Sequence, residues 1–253
     1  MKEFENEIIL DTYLSPYFPE TESLFEDSIV VMVDIFRSST TIAAALYNGA
    51  KDIIPCDSLD KAVRIYSSIN KEIRYLGGER NGTKPSGFDA GNSPFEYSEE
   101  NIKGKSIVYT TSNGTVTFLK AKLARCRIIA GFVNHTAIVN FILEEIGKII
   151  ADDKQPKIYI LNSGTNGRLS FEDIYYSGYL ISTLIKKANI KYFTDSCYIA
   201  LNIYQNDNLD SIKDKQHAKK LIELGYKDDI DISLKEDIFP VVPILIDSVI
   251  KKL

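Results

Sequence analysis

The feature that most constrains this chain is a handover repeated along it. A short apolar run stops, a polar turn follows, and a helical pattern begins. SIVVMVD (28–34), DIIPC (52–56), EIRYLGG (72–78), KSIVYTT (105–111), RIIAG (127–131) and KIYILNSG (157–164) are the apolar runs. Runs of this length that do not alternate with polar residues read as strands buried on both faces. Between them, RSSTTIAAALYNGA, the stretch after Asp57 and Ser58, SNGTVTFLKAKLA, TAIVNFILEEIGKII and SFEDIYYSGYLISTLIKKA carry caps and helical spacing. Alternating β and α units predict an α/β fold: a largely parallel sheet flanked by helices on both faces, in three layers. After about residue 190 the rhythm weakens. Residues 195–224 read as helical, and VVPILID and SVIKKL as a short C-terminal strand or edge hairpin, because Pro243 cannot donate to a ladder. No Pro/Gly/Ser linker interrupts the chain, so residues 1–253 are expected to form a single domain.

Composition narrows the function. With 30 Lys+Arg against 35 Asp+Glu the chain carries a net charge of -5, which argues against a nucleic-acid binder dependent on a basic face. A few local arginines can still hold a small anion. No run approaches the roughly 20 apolar residues of a membrane helix. The acidic start MKEFENEIILDTY is unlike the basic end of a signal peptide. Cys56, Cys126 and Cys197 lack metal or redox spacing and read as buried thiols of a cytoplasmic protein. A homodimer is left open. Walker, dinucleotide-binding, nucleophile-elbow and zinc-protease motifs are missing.

The polar clusters all occupy one kind of position, just beyond a predicted strand. In an open parallel sheet the ligand crevice lies beyond the carboxyl ends of the strands, so four distant segments are expected to meet there. In DIFRSSTT (34–41), Asp34 can reach a metal or a reacting group. Arg37, Ser38 and Ser39 stand at a helix N-terminus that favours an anion. In GGERNG (77–82), Glu79 and Arg80 suit a metal-bridged phosphate. TTSNGT (110–115) offers Thr111, Asn113, Gly114 and Thr115 as an anion-binding turn. NSGTNGRLSFED (162–173) brings Gly164, Thr165 and Arg168, with Glu172 and Asp173 in the next helical turn. Each cluster alone is also explained by caps and solvated turns. His135 reads as structural. His217 is either a solvated histidine or a proton donor.

Taken in order, VDIFRSSTTIAAALYNGAKDIIP, LGGERNGTKPSGFDAGNSPFEY, VYTTSNGT and LNSGTNGRLSFED resemble the 2-phosphosulfolactate phosphatase family, as does HAKKLIELGYKDDIDISLKEDIFPVVPIL near the C-terminus. The likeness runs from about residue 5 to the end. It implies an α/β fold and Mg²⁺-dependent hydrolysis of 2-phospho-3-sulfolactate to 3-sulfolactate and phosphate, in some organisms a step toward coenzyme M. Ser38-Ser39 and His135 depart from the family pattern and bear on fine specificity.

The residues agree in kind. A small, multiply anionic phosphorylated substrate calls for cationic forks, and Arg37, Arg80 and Arg168 are the candidates. Asp34 and Glu79 are the candidate Mg²⁺ ligands. Attack is by water or by Asp34 itself. Phe36, where aspartyl phosphatases carry a second Asp, tilts this toward water. Glu172, Asp173 or His217 supplies the leaving-group proton. Two alternatives stay open: a phosphatase for another small phosphorylated acid, and a non-catalytic phosphometabolite-binding protein.

Overall fold

A computed structural model describes residues 7–18, 22–188 and 190–253. Part of the acidic start, residues 1–6, lies outside them. The strands are β1 (Ile8–Tyr13), β2 (Ile29–Val33), β3 (Asp52–Pro55), β4 (Arg74–Gly78), β5 (Ser106–Thr110), β6 (Cys126–Ala130), β7 (Lys157–Asn162), β8 (Ile190–Phe193), β9 (Pro243–Ile246) and β10 (Val249–Lys252). The α-helices are α1 (Ser38–Tyr47), α2 (Leu59–Ser68), α3 (Glu99–Ile102), α4 (Gly114–Phe118), α5 (His135–Ala151), α6 (Phe171–Lys187), α7 (Asp195–Asn206), α8 (Gln216–Glu223) and α9 (Lys227–Ser233).

The strands form one sheet in the order β4-β5-β3-β10-β9-β6-β2-β7-β1-β8. β2 shows why the fold has three layers. All five of its residues are buried. Ile29, Val31 and Val33 join the core shared with α5, α6 and α7, whereas Val30 and Met32 join the core beneath α1. A strand covered on both faces needs the continuous apolar run seen in the sequence. Side chains from α6 and α7 close one face tightly. A Cβ at Gly178 would lie 2.1 Å from the Ala200 carbonyl oxygen, so that contact requires glycine.

Two expectations are corrected in detail. The C-terminal hairpin is not at an edge. β9 and β10 sit mid-sheet, antiparallel to β6 and β3. Pro243 is tolerated because it is the first residue of its strand. The hairpin splits the sheet into two parallel blocks, β4-β5-β3 and β6-β2-β7-β1-β8. Three successive antiparallel pairings lie between β3 and β6, so the two blocks run in opposite senses along the ladder. A twist of roughly 20–25° per strand accumulates across so many strands, so their carboxyl ends can still approach one another. Finally, α4 is far shorter than the helix read from TVTFLKAKLA. Its β-branched residues favour helix weakly, and Ala121 turns the chain at φ 54.

The three cysteines are free and buried. Burial pushes the Cys56 thiol up to about 11 and the Cys126 thiol to about 12, which leaves both inert near neutrality. No helix among the described residues is long and apolar enough to cross a membrane.

Candidate active site

The turns after β2, β4, β5 and β7 meet in one narrow cleft. Asp34, Arg37, Ser38, Glu79, Asn113, Thr165 and His217 line it, drawn from both sheet blocks. A wider basin adjoins it through Thr165, Asn166, His217 and Lys220, and carries Arg168, Ser170 and Glu172 on its wall.

Asp34 follows the last residue of β2 and is buried. Its side chain turns back onto the start of α1. The Ser38 hydroxyl donates to Oδ2 at 2.8 Å, and the Asp34 N–H donates to Ser39 Oγ at 3.0 Å. The two serines expected on the substrate thus also fix Asp34. Gly114 backs this carboxylate so closely that a Cβ there would lie 2.4 Å from Oδ2. Burial dominates the electrostatics and pushes the Asp34 carboxyl up to about 6, although the Ser38 hydroxyl and the His217 charge oppose the shift.

Glu79 follows β4. Its oxygens accept from the Ser112 N–H at 2.7 Å and the Gly82 N–H at 2.6 Å. These bonds fold residues 79–82 into a cup beside the turn after β5. Thr111 and Thr115 hold that turn reciprocally, each hydroxyl accepting from the other's N–H at 3.1 Å. Asn113 links it to the β7 turn by accepting the Asn166 N–H at 3.1 Å.

The three arginines differ. Arg37 lines the cleft but is buried, and its guanidinium is held by Asp229 at 2.5 Å, by the Gly82 carbonyl at 2.8 Å and over the Tyr226 ring at 3.9 Å. It is a neutralised strut between α1 and α9. Arg80 donates to the Glu79 carbonyl and to the Thr110 hydroxyl, and does not line the cleft. Burial lowers its pKa. Arg168 is exposed on the wall of the basin.

Beyond β7, Thr165 and the α6 residue Glu172 meet His217 of α8. His217 Nδ1 lies 2.5 Å from Glu172 Oε1 and 3.2 Å from Thr165 Oγ1, so Nε2 is the ring nitrogen left for the cleft. Burial works against the imidazolium, but the Glu172 carboxylate and then Asp34 outweigh it and hold the His217 pKa above its ordinary value. Asp173 does something else. It accepts from the Ile35 N–H at 2.9 Å and the Gly164 N–H at 3.0 Å, tying together the exits of β2 and β7. Burial, then the Glu172 and Asp34 charges, raise its pKa well above the carboxylate range. It lines neither cavity. His135 is remote from the cleft, stacked on Tyr179 at 4.0 Å and kept neutral by burial, with a pKa of about 4.

Asp229 and Lys220 went unnoticed in the sequence, and Asn92 was not singled out within its segment. Asn92 had a signal, since FDAGNSP is an irregular stretch of a kind often functional. Asp229 and Lys220 had none, because both sit in charged helical segments that read as solvated.

Two buried carboxylates in one cleft, with hydroxyl and amide oxygens around them, form a hard-oxygen donor set. No group of three or more His, Cys, Asp or Glu that could hold a metal exists among the described residues. Asp34 and Glu79 are the residues that could hold a cation such as Mg²⁺, which keeps several waters and needs only one or two carboxylates.

The model for 2-phosphosulpholactate phosphatase matches residues 15–248 of the chain. The chain belongs to the 2-phosphosulfolactate phosphatase family. A probable 2-phosphosulfolactate phosphatase from Clostridium tetani is 34% identical over 231 residues, covering 91% of this chain and 94% of the relative. Proteins of the same name from Carboxydothermus hydrogenoformans and Thermotoga maritima are 36% and 34% identical, over 90% and 95% of this chain and 90% and 97% of their own lengths. The ordered motifs identified the family correctly, and the matched span includes every residue of the cleft.

The His217–Glu172 pair gives a pH-dependent expectation. A histidine that acts as an acid works below its pKa and fails above it. Glu172→Gln removes the charge that holds that pKa up, so the alkaline limb of kcat should move to lower pH. A limb unmoved in this variant excludes the pair as the proton source.

Proposed function

We propose that this member of the family is a Mg²⁺-dependent phosphatase that hydrolyses 2-phospho-3-sulfolactate to 3-sulfolactate and phosphate. The observation that carries this reading is the meeting of Asp34 and Glu79, from two separate strand-end turns, with His217 of α8 in one cleft. Charge supports it. Arg37 is already balanced by Asp229, so a phosphate dianion entering the cleft faces two carboxylates with only His217 and Lys220 to offset them. At close range each unit repulsion costs about 4 kcal/mol in a surface-like dielectric.

Asp34 and Glu79 would hold the cation, which when bound neutralises phosphoryl charge and polarises a water. Asp34 orients the attacking water and takes its proton. As the water oxygen bonds to phosphorus, the ester P–O bond breaks. His217, set by Glu172, delivers a proton from Nε2 to the departing oxygen, leaving 3-sulfolactate and phosphate. The rest of the substrate extends into the basin, where Arg168 and Lys220 face its acid groups.

The test compares phosphate release from phosphosulfolactate, phospholactate and phosphoglycerate, with Mg²⁺ and with EDTA. Turnover should need Mg²⁺ and favour the sulfonated ester. Arg168→Ala should raise KM for that ester by about tenfold, the loss of one charge-assisted contact, with a smaller change for phospholactate. Mg²⁺-independent turnover, or equal use of all three esters, contradicts the assignment.

A further inference from the structure

One cleft residue that the chemistry above does not use is fixed at both of its acceptors. Asn92 is buried and lines the same cleft as Asp34, Ser38 and Glu79. Its main-chain carbonyl accepts the Thr41 hydroxyl of α1 at 2.9 Å. Its side-chain Oδ1 accepts the hydroxyl of Tyr109, at the end of β5. With both oxygens engaged, Nδ2 is the side-chain polar atom left to face the cleft, and an amide nitrogen can only donate.

The surrounding loop has little freedom to move. The Gly78 N–H donates to the Ala90 and Gly91 carbonyls at 3.2 and 3.1 Å. The Gly91 carbonyl also accepts the Tyr97 hydroxyl at 2.7 Å, and Ser93 Oγ donates to Asp229 at 2.7 Å. Tyr109 is fully buried, packed edge-on against Tyr97 at a centroid distance of 6.4 Å. Residues 90–93 are thus tied to β4, β5, α1 and α9 at once, and Asn92 is held rather than merely present. This amount of scaffolding around one neutral donor suits a group aimed at charge that develops during a reaction.

We propose that Asn92 Nδ2 donates a hydrogen bond to a non-bridging oxygen of the transferring phosphoryl group, and that Tyr109 is its positioning residue. The proposal rests on the phosphatase reading and deepens it. A neutral donor stabilises the extra charge on those oxygens without adding to the charge of the cleft. It takes up no proton and needs no reorganisation when the P–O bond breaks. Asn92 and Tyr109 then act as a unit through the hydroxyl that Oδ1 accepts.

The experiment is a double-mutant cycle with a separate binding readout. Asn92→Ala should lower kcat for phosphate release by about 10²-fold, the scale of losing one preorganised donor. Asn92→Asp keeps the acceptor for Tyr109 and the side-chain size. It should show the same loss of kcat with the folding transition retained, and should weaken inorganic phosphate binding, measured by calorimetry, by about tenfold or more. Tyr109→Phe should lower kcat about tenfold with little change in KM. Combined with Asn92→Ala it should add nothing, since coupled residues are non-additive. Turnover within about threefold of wild type in both Asn92 variants overturns the proposal. So does a Tyr109→Phe loss that adds in full to that of Asn92→Ala, which would mark the tyrosine as structural only. If the wild-type chain hydrolyses none of the three esters, the phosphatase reading itself fails. Phosphate binding that is equal in wild type and Asn92→Asp, with turnover intact, defeats only the role of Asn92.

Discussion

Asp34→Asn is expected to lower kcat for phosphate release by at least ~10²-fold, the low end of what a general base or charged group contributes. The same change is expected to stabilise the protein. The substitution is isosteric, and its oxygen can still accept the Ser38 hydroxyl that now reaches Oδ2 at 2.8 Å. What it removes is a buried charge. Burial raises the Asp34 carboxyl from 3.8 to about 6, so the folded state holds a proton that the unfolded chain has already released. The resulting cost is absent below about pH 4, grows between the two pKa values and is complete above about pH 6. A shift of this size corresponds to a few kcal/mol. Without divalent cation, Asp34→Asn should therefore melt several degrees higher than wild type at pH 7, and the gain should vanish near pH 4. A variant that is less active but more stable would mark Asp34 as a residue kept for chemistry at the expense of the fold. Near-wild-type turnover in a folded variant would remove it from the mechanism.

The second large effect falls on stability. Asp229→Ala leaves the Arg37 guanidinium buried with the Gly82 carbonyl and the Tyr226 ring, but without its counter-charge. It also takes away the acceptor of Ser93 Oγ. Breaking a buried pair in this way costs about 3–5 kcal/mol, which for a chain of this length lowers Tm on the order of 10 °C. Removing both charges with apolar residues, as in Arg37→Met with Asp229→Leu, should recover much of the loss. The desolvation penalty of the pair then disappears along with its attraction. A single-variant cost below about 1 kcal/mol would mean that the pair is hydrated and that Arg37 is free to meet an anion.

The pair also shows where sequence reading stops. Arg37 was legible as a cation at a helix start, beside a carboxylate at a strand end. Its partner lies 192 residues away, on a short helix whose acidic neighbours look solvated. Nothing in local periodicity reports that one of them is buried. The strands β2, β5 and β7 were legible because burial on both faces demands an uninterrupted apolar run. β1 was not, since its residues alternate between buried and half-buried and end in DTY. The hairpin was recognised as a pair of strands, but its place mid-sheet depends on which ladders it joins, and that is a matter of partners rather than of pattern. The turns converged as expected, although the sheet is not one uniformly parallel array. The expectation held because it concerned the carboxyl ends of strands, where polar residues are free of the core. Asp173 illustrates the opposite case. A carboxylate in the first helical turn reads as a catalytic acid or as a dipole partner, yet here it clamps two main-chain N–H groups from different strands.

The most direct test of the account is a crystal structure with Mg²⁺ and the products phosphate and 3-sulfolactate bound. The account predicts the ion between Asp34 and Glu79, phosphate within reach of Asn92 and Lys220, and the sulfonate in the basin near Arg168. Ion and phosphate bound elsewhere on the protein, with this cleft holding only water, would contradict it.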